Sequence, residues 1–494
     1  MAIASGPAAL LKNTDCLFLG GEWAEPSTRN KIRVSDSTTE EIFLEVAEAQ
    51  ADDMSRAVGA ARAAFDHGPW PRMKHAERAV YLRAIAEYLL TRGEDIGQIW
   101  PRETGALQSV ARAAGQDGFD IFTYYADQAD TFGWVKPMTP TFGGAGFLIR
   151  EPVGVVGAII PWNSPMRLIG YKVAPALIAG CTVVLKASPE APAEAYIFAE
   201  AVEAAGLPPG VVNVITADRE VSELLVRDPR VDKITFTGST AAGRTIGSIC
   251  GERVARCTLE LGGKSAAVIL NDVDIAKTAT HLMRQECLLT GQSCSSLTRV
   301  IVPVKRHDEM LEALAAEFRG VRVGDPFEPD SQIGPLVSAR QRDRVEYYIA
   351  KGIESDAILA AGGKRPDHLP RGYYIEPTVF GNVDNSSVIA QEEIFGPVVS
   401  VIPAVDEDHA VELANDSIFG LNASVFTDDV ERAIDVAKRL RAGTVGHNAF
   451  RTDFGIAFGG FKQSGIGREG GTEGILPFTE SKTLILKSKS AVLS

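Results

Sequence analysis

Cysteine is scarce in this chain, with six among 494 residues and no CxxC pair, so a disulfide framework, a zinc ribbon and a thioredoxin-like redox pair are not indicated. Cys287 and Cys294 stand seven apart and could share a helical face, although cysteine is often simply a small buried hydrophobe. The seven histidines show no H-E-x-x-H or other ligand spacing, so no metal centre is expected. No stretch approaches the roughly 18 apolar residues of a membrane span. The start, Met1-Ala2-Ile3-Ala4-Ser5-Gly6-Pro7, lacks a basic region and a sustained apolar core, which makes a secretory signal unexpected. Positive charge is in deficit, with a net charge of −14. A surface of that sign repels phosphate backbones and anionic lipid, which argues against nucleic-acid and membrane partners. Internal repeats and low-complexity tracts are also missing. These absences together point to a reduced, cytoplasmic setting.

What is present is an ordinary globular composition, 45% hydrophobic and 23% charged, in a chain longer than one hydrophobic core usually supports. Two or three lobes follow. Residues 51–65 and 75–92 carry the spaced apolar positions of amphipathic helices. Gly154–Ile160 is a continuous apolar run bounded by Pro152 and Pro161, and it reads as a buried strand. A helix over 166–179, a strand over 181–186, a helix over 191–205 and strands at 210–215 and 233–237 follow. This alternation predicts an α/β fold with a parallel sheet and helices on both faces. Ligands of such sheets bind at the carboxyl ends of the strands, where Asn163, Lys186 and Gly238 fall. A second α/β series begins after Lys264, with strands at 266–270, 299–302 and 398–402 and helices at 306–319 and 428–441. The polar, Gly-rich piece at 131–148 and the late strand Thr483–Leu486 suggest an arm that pairs with another subunit.

Two segments carry chemistry. Glu260, in Leu-Glu-Leu-Gly-Gly-Lys, precedes Cys294, in Thr-Gly-Gln-Ser-Cys, by 34 positions. A thiol attacks a carbonyl carbon to form a covalent adduct, and a nearby carboxylate activates the water that releases the product. Taken alone, Cys294 reads as a buried core thiol and Glu260 as a salt-bridged strand-end carboxylate. Gly238-Ser239-Thr240-Ala241-Ala242-Gly243 leaves a strand and opens a helix, as a pyrophosphate site requires, though an ordinary Ser/Thr N-cap has the same form. Gly465-Ile466-Gly467-Arg468-Glu469-Gly470 matches G-x-G-x-x-G but follows no credible strand and opens no periodic helix, so it reads as a structural loop.

With seven motifs in order, the chain resembles the aldehyde dehydrogenase superfamily over nearly its whole length. The motifs are Pro161-Trp162-Asn163, Lys186-Ala187-Ser188-Pro189-Glu190, Phe236-Thr237-Gly238-Ser239-Thr240, the Glu260 and Cys294 segments, Glu392-Glu393-Ile394-Phe395-Gly396-Pro397, and Phe458-Gly459-Gly460-Phe461-Lys462. The resemblance implies oxidation of an aldehyde to its carboxylic acid with hydride transfer to NAD(P). Cys294 is then the nucleophile, which needs a lowered thiol pKa at neutral pH. Asn163 is the oxyanion donor, and Glu260 activates water against the thioester. The implied cofactor residues are Ile160, Pro161, Trp162, Lys186, Ser188, Glu190, Phe236, Gly238, Ser239, Gly243, Leu261, Glu393 and Phe395. Those implied for the substrate tunnel are Ser164, Arg167, Leu168, Tyr171, Ser293, Ser295 and Thr452. The implied architecture has three parts: a Rossmann-like cofactor domain (1–130 and 151–262), an α/β catalytic domain (263–470), and a small β oligomerisation arm (131–150 and 471–494). A homo-oligomer, dimer or tetramer, is implied with it.

The chain departs from the family pattern in places. Thr216-Ala217-Asp218-Arg219-Glu220 stands where many members carry glycines. Pro189 occupies the position where a ribose-binding carboxylate often sits, and Glu190 follows it. A carboxylate there favours a free 2′-hydroxyl over a 2′-phosphate, hence NAD, with NADP as the alternative. Tunnel aromatics are partly missing, which widens the tunnel or makes it more polar. Two other functions compete with this reading. One is a coenzyme A-acylating dehydrogenase, which a water-activating Glu260 opposes. The other is a structural protein that kept the fold without turnover.

Overall fold

A strand that is apolar at every position needs cover on both faces, and the runs read from the sequence are built that way. In the strand Val155–Ile159, Val155 and Ile159 join an apolar cluster with Met54, Ala57 and Ala61 of the helix Ala51–His67. Val156 and Ala158 face the other way, into a cluster with residues of the helices His75–Thr91, Pro165–Ala179 and Ala193–Ala205. The second sheet repeats the device, with Ala266 and Val268 in one cluster and Ala267 and Ile269 in another.

The computed structural model describes residues 10–488. Residues 1–9, where a secretory signal would have begun, and 489–494, the end of the expected arm, lie outside the described residues. An eight-stranded sheet runs in the order Gly465–Ile466, Arg256–Glu260, Lys233–Thr237, Val155–Ile159, Thr182–Ala187, Val212–Thr216, Leu17–Leu19, Glu22–Ala24. Its strands from Arg256–Glu260 through Val212–Thr216 are parallel, and antiparallel pieces close both edges. A seven-stranded sheet is ordered Ile358–Ala361, Thr378–Gly381, Val398–Ala404, Arg299–Pro303, Ala266–Ile269, Asn422–Phe426, Thr444–His447. All of its pairs are parallel except the first. Thr479–Leu486, Ala145–Pro152 and Val135–Met138 form a separate antiparallel sheet, so the two segments assigned to an arm pair with one another. This is the expected α/β architecture. No helix among the described residues is long and apolar enough to cross a membrane.

Two features of this frame position the site. Parallel strands bring Ile160–Asn163, Lys186, Gly238 and Glu260 to one rim of the first sheet. The helix Gly93–Thr104 then ends at Gly105, in the left-handed region at φ 78°, against the second lobe. A Cβ on Gly105 would lie 1.9 Å from the Pro335 carbonyl oxygen. The neighbouring Thr104 carbonyl accepts from Gln292 Nε2 at 3.2 Å, which ties this corner to the Cys294 loop. Gly105→Ala combines left-handed strain with a backbone collision, so urea unfolding should show a loss of at least about 2 kcal/mol. An unchanged midpoint would mean that this corner yields freely.

Candidate active site

The strand Arg256–Glu260 delivers Glu260 to the rim, and the chain continues through Leu261, Gly262 and Gly263. Those glycines leave room for two other motifs. A Cβ on Gly262 would lie 2.6 Å from Glu393 Oε2, and one on Gly263 would lie 2.2 Å from the Cys294 carbonyl oxygen. The Gly263 N–H donates to Glu393 Oε1 at 3.0 Å. On the Cys294 side, a Cβ on Gly291 would lie 2.4 Å from the Gly396 carbonyl carbon. Segments far apart in sequence thus meet where these glycines leave room for them.

Cys294 lies just beyond the short turn Leu288–Gly291, in a loop held by Gln292. Gln292 Oε1 accepts from the Val337 N–H at 2.9 Å, and the Gln292 carbonyl accepts from Asn163 Nδ2 at 3.0 Å. Asn163 is therefore at the Cys294 loop, as its proposed role requires. The thiol departs from the expectation of a lowered pKa. Burial first, then the negative charges of Glu393 and Glu260, push it up to about 12, against the pull of its own backbone N–H. Cys294 is a half-buried residue on a cavity wall, and the charges that act on its sulfur are those of Glu393, Glu260 and Glu469 rather than of cations.

Glu260 is buried, and neither of its carboxylate oxygens has a hydrogen-bond partner. Burial and then Glu469 hold its pKa well above the usual carboxylate range, while Lys172 and Arg468 oppose the shift. Lys172 and Glu469 form an ion pair that is almost completely buried. Glu469 comes from the G-x-G-x-x-G look-alike. That segment pairs antiparallel with the Glu260 strand through Gly465 and Ile466 and opens no helix. Where only a loop was expected it begins with a two-residue edge strand, and it brings two charges to Glu260 that sequence reasoning did not assign.

A cavity of about 450 Å³ opens along this rim. Its walls include Cys294, Asn163 and all the cofactor residues implied by the resemblance except Gly243. Gly243 lies beneath it, where a Cβ would come within 2.4 Å of Leu261 Cδ2, so its service is to let the helix Thr240–Glu252 sit close. Lys186 is buried on the wall, and burial pushes its ammonium down to about 8 against Glu190 and Asp218. Burial likewise raises Glu393 to about 7, while the Gly263 N–H, Arg344 and Lys264 act to lower it. Glu190 Oε2 accepts from Ser188 Oγ at 2.5 Å, and its Oε1 pairs with Arg340 at 2.8 Å. The cavity fits a dinucleotide in three respects. The N-terminus of Thr240–Glu252, capped by Ser239, opens onto it. The wall residue Thr237 carries a buried hydroxyl without a partner. Lys186, Arg219, Arg340 and Arg344 supply positive charge.

The implied substrate residues do not line this cavity. Arg167 pairs with Asp117 at 3.0 Å, Tyr171 and Ser295 are buried, and Leu168 packs on the core. The Ser293 and Ser295 hydroxyls lie 3.4 Å apart. Ser164 caps Pro165–Ala179 without a side-chain bond, and Thr452 is half-buried in the loop before Phe454. Arg219, Arg340, Gln341 and Arg344 were missed. Asp218 caps the helix Arg219–Arg227 through the Val221 N–H, so the stretch that departs from the family's glycines becomes an ordinary helix start. Arg340, Gln341 and Arg344 stand on Ala339–Ile353, where a charged surface helix offers no chemical spacing to read. Gln341 Nε2 donates to the Phe395 carbonyl at 2.7 Å, and Arg344 donates to the Glu393 carbonyl.

Known proteins show the same arrangement of sequence. A model of the aldehyde dehydrogenase family matches residues 23–484. Geranial dehydrogenase of Castellaniella defragrans is 40% identical over 472 residues, covering 95% of this chain and 98% of its own length. The crystal structure of a Mycobacterium tuberculosis aldehyde dehydrogenase complexed with NAD+ is 45% identical, with a TM-score of 0.93 over 96% of this chain and 98% of that one. A Pseudomonas syringae aldehyde dehydrogenase variant, complexed with NAD+ and octanal, is 38% identical with a TM-score of 0.93, over 97% of this chain and 98% of that one. On the family match, the long alignments and the shared fold, this chain belongs to the aldehyde dehydrogenase family.

Proposed function

We propose that this protein oxidises an aldehyde to its carboxylic acid, using NAD, through a thiohemiacetal and then a thioester on Cys294 that Glu260-activated water hydrolyses. The observation that carries the proposal is the presence of Cys294 on the wall of the same cavity that the cofactor motifs line, within reach of the charge of Glu260. NAD, when bound, supplies the acceptor for the aldehyde hydride. The chain's own residues do the rest. Asn163 already bonds to the Cys294 loop, and its remaining N–H can meet the oxygen that becomes negative as sulfur adds. One such donor is worth about 3 kcal/mol of barrier. Because burial keeps the Cys294 thiol protonated, attack must be coupled to proton loss, and the raised proton affinity of Glu260 suits it to receive that proton. Once it has passed that proton to solvent, the same carboxylate takes one from the water that attacks the thioester.

Lys186, Ser188 and Glu190 are placed to hold the adenosine end of the dinucleotide, and Glu393 and Phe395 the nicotinamide end. A small-molecule aldehyde is the substrate, and the NAD-bound and octanal-bound relatives are the ground for the cofactor and for an aldehyde of this kind. The division into cofactor domain, catalytic domain and arm belongs to the proposal, with Gly465–Ile466 adding an edge to the cofactor sheet. The three-stranded sheet, with Met138 and Ile485 exposed on it and Phe142 exposed in one of its turns, supports a homo-oligomer, dimer or tetramer. All six cysteines are free thiols, in keeping with a cytoplasmic setting.

With a panel of aldehydes and NADH absorbance as readout, Cys294→Ala should lose more than about 10⁴-fold in turnover while NAD binding, followed by fluorescence, persists. Glu260→Gln should slow the formation of the first NADH and leave no steady turnover. Steady turnover by either variant refutes the role assigned to that residue, and a product carrying coenzyme A would replace hydrolysis with acyl transfer. Glu260 works unprotonated, so activity is present above its pKa and is lost as pH falls through it. Glu469→Gln removes a charge that raises that pKa and should move the acidic limb of the kcat profile to lower pH, whereas Lys172→Met should move it higher. Limbs that stay fixed would remove Glu260 as the titrating group. Glu190→Gln should improve NADP binding relative to NAD by about tenfold, equivalent to about 1.4 kcal/mol. An unchanged ratio of dissociation constants would show that Glu190 does not select the coenzyme.

A further inference from the structure

Asn163 reaches the Cys294 loop from a turn with a proline at each end, Pro161 and Pro165. Each ring fixes its own φ and restricts the residue before it, so the turn has few ways to bend. It needs an anchor where the helix Pro165–Ala179 begins. Pro165 has no N–H, and the Leu168 N–H donates to the Ser164 carbonyl at 3.1 Å. The Ser164 side chain, at φ −149° and ψ 65°, makes no capping bond. The Met166 N–H is left without an intrahelical partner, and Met166 is buried. Glu194 supplies the acceptor. From the first turn of the helix Ala193–Ala205, its Oε2 takes the Met166 N–H at 2.8 Å.

The device recurs one helix further back. Glu103 Oε1 accepts from the Ala193 N–H at 3.0 Å, at the start of the helix that carries Glu194. Glu103 stands next to Thr104, whose carbonyl holds Gln292. Four hydrogen bonds therefore close a ring: Ala193 to Glu103, Met166 to Glu194, Asn163 to the Gln292 carbonyl, and Gln292 to the Thr104 carbonyl. Glu103, Thr104, Glu194 and Gln292 are all buried. The second oxygens, Glu103 Oε2 and Glu194 Oε1, have no partner. A serine or threonine caps a helix start without that penalty, so stability alone does not account for two carboxyls in the ring. Burial pushes Glu194 up to about 8 against the pull of the Met166 N–H, and Asp117 adds to the rise. Its carboxyl is mostly neutral at pH 7 and serves as an acceptor rather than as a charge.

We propose that Glu194 is a positioning residue for the aldehyde oxidation, holding the Asn163 amide at the Cys294 loop by anchoring the start of Pro165–Ala179. The proposal rests on the roles given above to Asn163 and Cys294. Glu194 does not line the cavity, so it acts through Asn163 rather than on bound molecules. On the other side of Asn163, Trp162 packs edge-on against Phe395, with ring centroids 5.3 Å apart. Loss of the Met166 anchor frees the Asn163 side of the turn while that contact stays. The amide then misses the oxygen that becomes negative, although the walls that receive NAD are unchanged. Displacement of a single donor is felt in the rate because the donor acts only when it is already in place.

The test measures the rate of the first NADH turnover at saturating NAD and aldehyde, and the NAD dissociation constant by fluorescence. It compares the full-length wild type with Glu194→Met, Glu194→Gln, Asn163→Ala and the Glu194→Met/Asn163→Ala double variant. Methionine keeps the length of the side chain without a carboxyl acceptor, and glutamine keeps the oxygen. Glu194→Met should slow the first turnover about tenfold while the NAD dissociation constant is unchanged. Glu194→Gln should stay within about twofold of wild type, and Glu194→Met added to Asn163→Ala should slow it by no more than about twofold further, because the group it positions is gone. A wild-type rate for Glu194→Met overturns the proposal, as does a loss of the same size that persists without the Asn163 amide. If Asn163→Ala turns over at the full rate, the oxyanion role itself fails and the proposal falls with it, an outcome distinct from a failure of Glu194 alone. Where Glu194→Met does not fold, Glu194→Asp, one methylene short of the Met166 N–H, takes its place with the same expectations.

Discussion

At Gly263 the carbonyl of Cys294 occupies the space where a side chain would begin, and at Gly262 the carboxylate of Glu393 does the same. Gly291 meets Gly396 in the same manner from the other side of the loop. These approaches let the end of one sheet, the turn carrying the thiol and the segment before Gly396-Pro397 share a small volume. A methyl group at any of them would have to displace its neighbours, which a packed interior resists. The Gly-Gly after Glu260 and the Gly before Gln292 are thus the steric condition for the site, and the reactive groups depend on them for their positions.

The same crowding sets the electrostatics. Cys294, Glu260 and Glu393 are all pushed towards their neutral forms chiefly by burial, and the oxygens of Glu260 have no internal partner. Unpaired buried polar groups destabilise a fold, and they concentrate where chemistry uses them. Beside them the Lys172–Glu469 pair is enclosed, and its two members act on Glu260 in opposite directions. Lys264 is another buried cation without a hydrogen-bond partner, brought down to about 7 by burial and Arg299 against the charge of Glu286.

Much of the architecture was legible because its signals are local. The run at 154–160 is apolar at successive positions, and those at 181–186 and 210–215 are nearly so, as strands buried on both faces must be, while 233–237 alternates Ile234 and Phe236 with Lys and Thr. The helices at 51–67 and 75–91 carry their apolar positions at helical spacing. The helix Ala114–Thr131 was not read, and its glycines explain why. Gly115 and Gly118 lower helix propensity, but a Cβ on them would meet Gly93 Cα at 2.9 Å and Leu89 Cδ1 at 3.0 Å, so tertiary packing calls for what propensity disfavours. The strand Asn422–Phe426, with Asn and Ser among its apolar residues, escaped for a related reason. Asn422 Nδ2 is spent on the Ser295 carbonyl at 3.1 Å, and Ser424 Oγ on the Ala449 carbonyl at 2.9 Å, which makes polar residues tolerable inside.

By itself the sequence determined which residues could do chemistry, since a thiol, a carboxylate, an amide and the glycines around them announce their capacities by type and spacing. It also determined the α/β class, because hydrophobic periodicity is written along the chain. Only the tertiary structure decided the state of those groups: a thiol with raised rather than lowered proton affinity, a Glu190 held by Ser188 and Arg340, and an unremarked Glu469 set beside Glu260. The reason is physical. A side chain's reactivity depends on the charges and the depth of protein around it, and in this chain those neighbours come from strands, turns and helices that are remote in sequence and meet only in the folded state.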